Sequence, residues 1–261
     1  TYYHRTGPVG EIFRAFRERS PGADYAMIGL GTGSVACYAR PGQKVTFFEI
    51  DPTVIKLVEG DKHFTFIDDA RKRGAKVDFV LGDARLKLEQ ERDSKYGLIL
   101  VDAFSSDSIP VHLLTREAIK LYTEHLAPGG LLAIHISNRY VMLEPVVARL
   151  AEEAKLTARI WSDNSEGYPG KTASSWIVLA RDEADLGFIA PSKEADTGFF
   201  MVAGGAAWEM FRPEMTWKKL TVDPNVEAWT DDYSDVLRVM RLKEIRAVRQ
   251  FFGLPVAKES D

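Results

Sequence analysis

The 261 residues hold a single cysteine, Cys37, so no disulfide can form within the chain. That fits a reducing, cytoplasmic setting and excludes a small disulfide-stapled scaffold. Long apolar runs are missing: none approaches the ~20 residues a spanning helix needs. No secretory leader is visible either. Excess charge of one sign is also lacking. The formal net charge is −4, and no Lys/Arg stripe with interleaved aromatics offers a nucleic-acid surface. The five histidines are scattered without an HxH or HxxxH pair, which argues against a metal site. A GxSxG elbow is absent, and the glycine turn lacks the lysine of a Walker loop. What is present is ordinary for a globular protein and long enough for one large α/β domain, with or without an appendage.

The stretch Tyr25–Asp51 organises the rest. It reads as a buried strand over Tyr25–Leu30, a turn carrying Gly29, Gly31 and Gly33, a short helix opening near Ser34, and a second strand over Lys44–Ile50. Glycines at alternate positions let the backbone turn sharply and let a ligand approach without meeting a Cβ. Ser34 stands where a dinucleotide fingerprint places its third glycine. This favours a single adenosine, as in S-adenosylmethionine, over NAD. Glu49 and Asp51 follow the second strand. A carboxylate there can accept hydrogen bonds from both ribose hydroxyls. Asp51 precedes Pro52 in an N-cap pattern, so Glu49 is the residue assigned to the ligand.

Further strands are expected over Val77–Leu81, Leu98–Val101, Leu131–Ile136, 156–161 and Ser175–Ala180. Helices lie between them over Pro52–Glu59, Ala84–Glu91, Val111–His125 and up to about Lys155. Pro128-Gly129-Gly130 is expected to break the chain before the fifth strand. This alternation argues a doubly wound, mostly parallel sheet, whose ligands sit beyond the carboxyl ends of the strands. Glu49, Asp83, Asp102 and Ser137-Asn138 converge there. Asp83 can reach an adenine amino group or cap the helix after it. Asp102, at the end of a central strand, is the candidate base or a loop cap. For an amine arriving as an ammonium ion, a carboxylate can bind it, take a proton and expose the lone pair. Tyr3, Tyr168 and Asp107 could line the amine pocket, the rings favouring a cation at their faces.

Three segments result: a lead-in over 1–24 with an amphipathic helix at about Glu11–Arg19, a nucleoside-binding domain over 25–181, and a helical appendage over 182–261. In the appendage, helix is expected over Met201–Phe211 and in the second half of VEAWTDDYSDVLRVMRLKEIRAVRQFF. Asp231-Asp232 reads by default as a capping pair.

Taken in order, IGLGTGSV, FEID, GDAR, VDAFSSD, PGG and YPG resemble the spermidine synthase-like (polyamine aminopropyltransferase) family. Tyr3-His4 resembles its aromatic pair ahead of the glycine strand. DAFSSDSIPVHLLTREA, HISNRY and WTDDYS are similar to the bacterial branch often joined to membrane-spanning segments. The resemblance implies a class I S-adenosylmethionine-dependent methyltransferase-like (Rossmann-like) fold. It implies decarboxylated S-adenosylmethionine as co-substrate, held by Gly29, Gly31, Thr32, Gly33, Glu49, Ile50, Asp83 and Ala84. Asp102 would be the general base, and Tyr3, His4, Asp107, Asn138, Tyr168 and Asp231 would line the amine site, without a metal. Three features depart from the pattern. Thr32 stands where the family carries an acid for the donor's aminopropyl ammonium, and Met27 where methyltransferases often carry one. The family's Asp-Ser-x-Asp is stretched, so Asp231 or Asp232 is a substitute for the second acid. The N-terminal β-rich segment is almost absent. The alternatives are therefore an S-adenosylmethionine-dependent methyltransferase and a nucleoside-sensing domain. A homodimer and a membrane-spanning segment outside a fragment that begins at Thr1 stay open.

Overall fold

The computed structural model describes residues 1–60, 64–91, 93–104, 109–138, 140–165, 167–189 and 217–241. The strands are β1 (Tyr25–Ile28), β2 (Lys44–Glu49), β3 (Lys76–Leu81), β4 (Tyr96–Val101), β5 (Leu126–His135), β6 (Thr157–Asp163), β7 (Ser174–Ala180) and a two-residue β8 (Lys218–Lys219). They form one sheet in the order β3-β2-β1-β4-β5-β7-β6-β8. β1 to β5 pair in parallel, and β7 runs antiparallel to both β5 and β6. This is the class I methyltransferase-like, doubly wound arrangement expected from the sequence.

The helices are α1 (Pro8–Arg19), α2 (Pro52–Gly60), α3 (Phe66–Lys72), α4 (Ala84–Gln90), α5 (Arg116–Glu124), α6 (Glu144–Glu153) and α7 (Val236–Val239). Strand alternation sends Ala26, Ile28, Ile99, Val101, Leu132 and Ile134 to one face of the sheet, among residues of α4, α5 and α6. Tyr25, Met27, Leu98, Leu100, Leu131 and Ala133 go to the other face, among residues of α1 and α3. Both faces are apolar because both are covered, as parallel sheets require.

One local expectation is met in a tighter form and two are corrected. The helix after the glycine turn is a single 3-10 stretch, Ser34–Tyr38. The helix expected over 111–125 is broken: a 3-10 turn, Val111–Leu113, is followed by α5, because the Thr115 side chain accepts from Ala118 N and starts a new helix. Pro128-Gly129-Gly130 does not precede β5 but lies within it. The pairing shifts register between Tyr96 and Leu98, and the glycines absorb a bulge.

The described part of the tail, 217–241, gives Trp217, Val226, Ala228, Trp229 and Val239 to the core. It contains one four-residue helix, α7, among the described residues. The expected helix over 201–211 and the end of the amphipathic run lie outside the described residues.

Candidate active site

The carboxyl ends of β1 to β5, with the start of β7 beside them, open onto one groove of about 1210 Å³. Gly29, Gly31, Glu49, Ile50, Asp83, Ala84, Asp102 and Asn138 all line it, as does Tyr3 from the lead-in segment. These come from six separate stretches of chain, and the strand order brings them together.

The glycine turn serves two purposes. A Cβ on Gly29 would lie 2.4 Å from the carbonyl oxygen of Asp102, and Gly29 has φ +95°. It is therefore the backbone after β4 that presses on this glycine. Gly31, at φ +53°, would place a Cβ with nothing within 4 Å, so it faces space a ligand can take. Gly29→Ala is expected to destabilise by ~1–3 kcal/mol through backbone strain alone, with the clash adding to it, and to displace Asp102. Chemical denaturation would read the loss. Gly31→Ala should cost less stability and weaken donor binding.

At one end of the groove, Glu49 Oε2 accepts from Leu30 N at 3.0 Å and Oε1 from Asp51 N at 2.9 Å. These bonds fix the carboxylate across the glycine turn and leave each oxygen a second lone pair. Asp51 caps α2, accepting from Thr53 N at 2.7 Å. Asp83 is the N-cap of α4: Oδ1 accepts from Arg85 N and Leu86 N. Its Oδ2 lies 3.0 Å from His112 Nε2. The capping geometry expected of Asp83 is therefore present, and the side chain still borders the groove.

At the other end, Asp102 follows β4 with its side chain 7% exposed. The Tyr3 hydroxyl donates to Oδ2, and His135 Nδ1 lies 2.7 Å from Oδ1. The ring of His135, at the end of β5, stacks on Trp176 at 4.7 Å and meets Phe104 and Tyr2 at 5.0 and 5.2 Å. Burial, then the charge of Asp102 and the hydrogen bond to it, push the Tyr3 phenol well above its usual range. A phenol raised by folding adds stability that is complete below about pH 10 and is lost as the pH climbs from there. Tyr3→Phe should therefore flatten the alkaline limb of a melting-temperature profile.

Other expected site residues lie elsewhere. Thr32 and Gly33 are not among the groove's lining residues. His4 and Tyr168 stack on each other at 5.8 Å, also away from the lining. Asp231 is not among the lining residues either: Arg85 holds it through two bonds of 2.7 and 2.8 Å, and Thr115 donates to it at 2.8 Å. That guanidinium holds the Asp231 carboxyl below its usual range. Asp107 lies outside the described residues. Among the described residues no cluster of His, Cys, Asp and Glu could hold a metal ion, and no helix is long and apolar enough to cross a membrane.

The sequence reading missed His135, His112 and Phe104. His135 left one trace, a lone histidine closing the apolar run LLAIHI.

No protein-family model matches the chain. A polyamine aminopropyltransferase of Vibrio vulnificus (strain CMCP6) is 34% identical over 135 residues, 50% of this chain and 41% of that protein. A probable polyamine aminopropyl transferase of Bifidobacterium longum (strain NCC 2705) is 29% identical over 114 residues, 42% of this chain and 23% of its own length. Over about half of its length the chain is similar to polyamine aminopropyltransferases. It spans well under half the length of these curated relatives. Its fold is shared by a probable spermidine synthase from Corynebacterium glutamicum ATCC 13032, with TM-score 0.55 and 17% identity over 90% of this chain and 81% of that one. A spermidine synthase in complex with the transition-state analogue AdoDATO gives TM-score 0.50 and 16% identity over 69% of this chain and 60% of that one. In this chain the residues ahead of β1 deliver Tyr2 and Tyr3 to the groove.

Proposed function

We propose that this chain is an aminopropyltransferase, moving an aminopropyl group from decarboxylated S-adenosylmethionine to a small amine. The observation that carries the reading is a single groove with Glu49 and Asp83 at one end and the Asp102 carboxylate at the other. The aminopropyl-transfer activity of the curated relatives supports it. So does the AdoDATO complex formed by a protein of the same fold.

On this reading Glu49 takes the ribose hydroxyls, and Asp83 with Ala84 borders the adenine. Gly31 gives the nucleoside room, and Ile50, 69% exposed, supplies an apolar surface beside it. The acceptor enters as an ammonium ion between Tyr2, Phe104 and Asp102, where aromatic faces and a carboxylate both favour a cation. Asp102 takes one proton. The freed lone pair attacks the methylene carbon beside the sulfonium. A carbon–nitrogen bond forms, the carbon–sulfur bond breaks, and its electron pair stays on sulfur as methylthioadenosine leaves. Alignment and exclusion of water suffice, without a covalent enzyme intermediate. The division into lead-in, nucleoside domain and appendage belongs to the same proposal.

The test is to incubate the protein with decarboxylated S-adenosylmethionine and a panel of amines, following methylthioadenosine by mass spectrometry. Product with at least one amine is expected. None across the panel overturns the reading. Thr32 favours a second reading, because the turn offers no acid to the donor's ammonium tail. If calorimetry finds tighter binding of S-adenosylmethionine than of its decarboxylated form, methyl transfer replaces aminopropyl transfer.

A further inference from the structure

Behind Asp102 lies a chain of hydrogen bonds whose direction can be worked out from its fixed end. Ser175 N–H donates to Ser137 Oγ at 2.8 Å, and a backbone amide can only donate. Ser137 Oγ then lies 2.8 Å from His135 Nε2. His135 Nδ1 lies 2.7 Å from Asp102 Oδ1. An ionised carboxylate can only accept, so Nδ1 must carry the proton. In a neutral ring Nε2 is then bare and accepts the Ser137 hydroxyl. Every donor in the sequence Ser175, Ser137, His135 therefore points toward Asp102, and the Tyr3 hydroxyl points at it from the other side.

We propose that His135 is a positioning residue for Asp102, held by Ser137 as the Nδ1–H tautomer so that its N–H keeps the carboxylate aimed into the groove. The inference rests on the reading of Asp102 as the base. The site is built for this purpose. The His135 side chain is 4% exposed. Trp176 stacks on its ring within 13° of parallel. The ring is thus fixed in orientation by packing and in protonation by the serine, leaving a single donor for a single acceptor. β7 makes this possible by running antiparallel. Its first residues lie beside the end of β5, which puts Ser175 N–H against Ser137.

The order serine, histidine, aspartate is also that of a hydrolytic triad. Here the serine oxygen already accepts from a backbone amide, which pins it to the β5–β7 seam. This makes Ser137 the support of the histidine and not a nucleophile.

The experiment uses the whole 261-residue chain with nitrogen-15 in its histidine rings. Long-range proton–nitrogen correlation spectra should show His135 protonated at Nδ1 and bare at Nε2. Ser137→Ala should lose that pure tautomer. In turnover assays, His135→Gln and Ser137→Ala should lower kcat by roughly 10–100-fold, the usual scale for a supporting partner, with little change in KM. His135→Asn places an amide N–H near the former Nδ1 and should recover most of the loss, which a merely structural histidine would not allow. An Nε2–H tautomer in the wild type overturns the proposal. So does equal failure of the Asn and Gln variants, or labelling of Ser137 by a fluorophosphonate. If no donor–acceptor pair turns over, the functional reading falls, and the tautomer spectrum still decides whether the serine sets the histidine.

Discussion

Asp102→Asn should lower kcat by roughly 10²–10⁴-fold, the usual contribution of a positioned general base, while donor affinity stays within twofold. The asparagine keeps the shape of the side chain, and its amide oxygen can still accept from Tyr3 or His135. It cannot take a proton from an ammonium ion. Asp102 borders the groove while Glu49, the proposed ribose partner, ends a different strand, so the two functions should separate cleanly. Single-turnover measurement of methylthioadenosine, with calorimetry for the donor, reads both. Unchanged turnover in the variant would remove Asp102 from the chemistry and favour a nucleoside-binding domain without catalysis.

The largest expected loss of stability comes from Lys171→Met. Lys171 Nζ lies 2.7 Å from Asp163 Oδ2, with the two side chains 1% and 2% exposed. The same ammonium donates to Ser165 Oγ at 2.7 Å and to the Thr6 carbonyl at 3.3 Å. Removing one partner of a buried pair leaves an uncompensated charge and typically costs about 3–5 kcal/mol. Replacing both, as Asp163→Leu with Lys171→Met, should recover most of that, since paired charges gain little over well-packed apolar groups of similar size. Denaturant titration of the three proteins checks the order. A loss below ~1 kcal/mol in the single variant, the size of an exposed pair, would show that the pair is not shielded. The single variant should also lose activity beyond its lost stability, because Thr6 is three residues from Tyr3.

The fold was legible because the signals that build it are local. Apolar strands, glycine turns and capping acids each act over a few residues, and their alternation selects a doubly wound sheet. The convergence of Gly31, Glu49, Ile50, Asp83 and Ala84 on one groove was legible for the same reason: each sits at or just past a strand end, and strand ends converge. The end around Asp102 was harder to read. Which residue meets Asp102 depends on β4, β5 and β7 lying side by side and on the path of the lead-in. No spacing in the chain encodes the contact between His135 and Asp102, which are 33 residues apart. His4 and Tyr168 carry suitable chemistry, but they stack on each other outside the groove. The 111–125 segment reads as one helix by periodicity, and a single threonine divides it.

The lead-in bears on how the molecule comes together in time. Tyr3 meets a partner 99 residues away, and Thr6 one 165 residues away. Contacts that close such long loops form only after their distant partners are in place, so they arrive late. Residues made before the whole sheet must wait, undocked, until the β6–β7 hairpin has been synthesised and seated. A half-built chain therefore carries its glycine turn before the wall around Asp102 is complete, and that wall closes only when β6 and β7 have seated the residues ahead of α1.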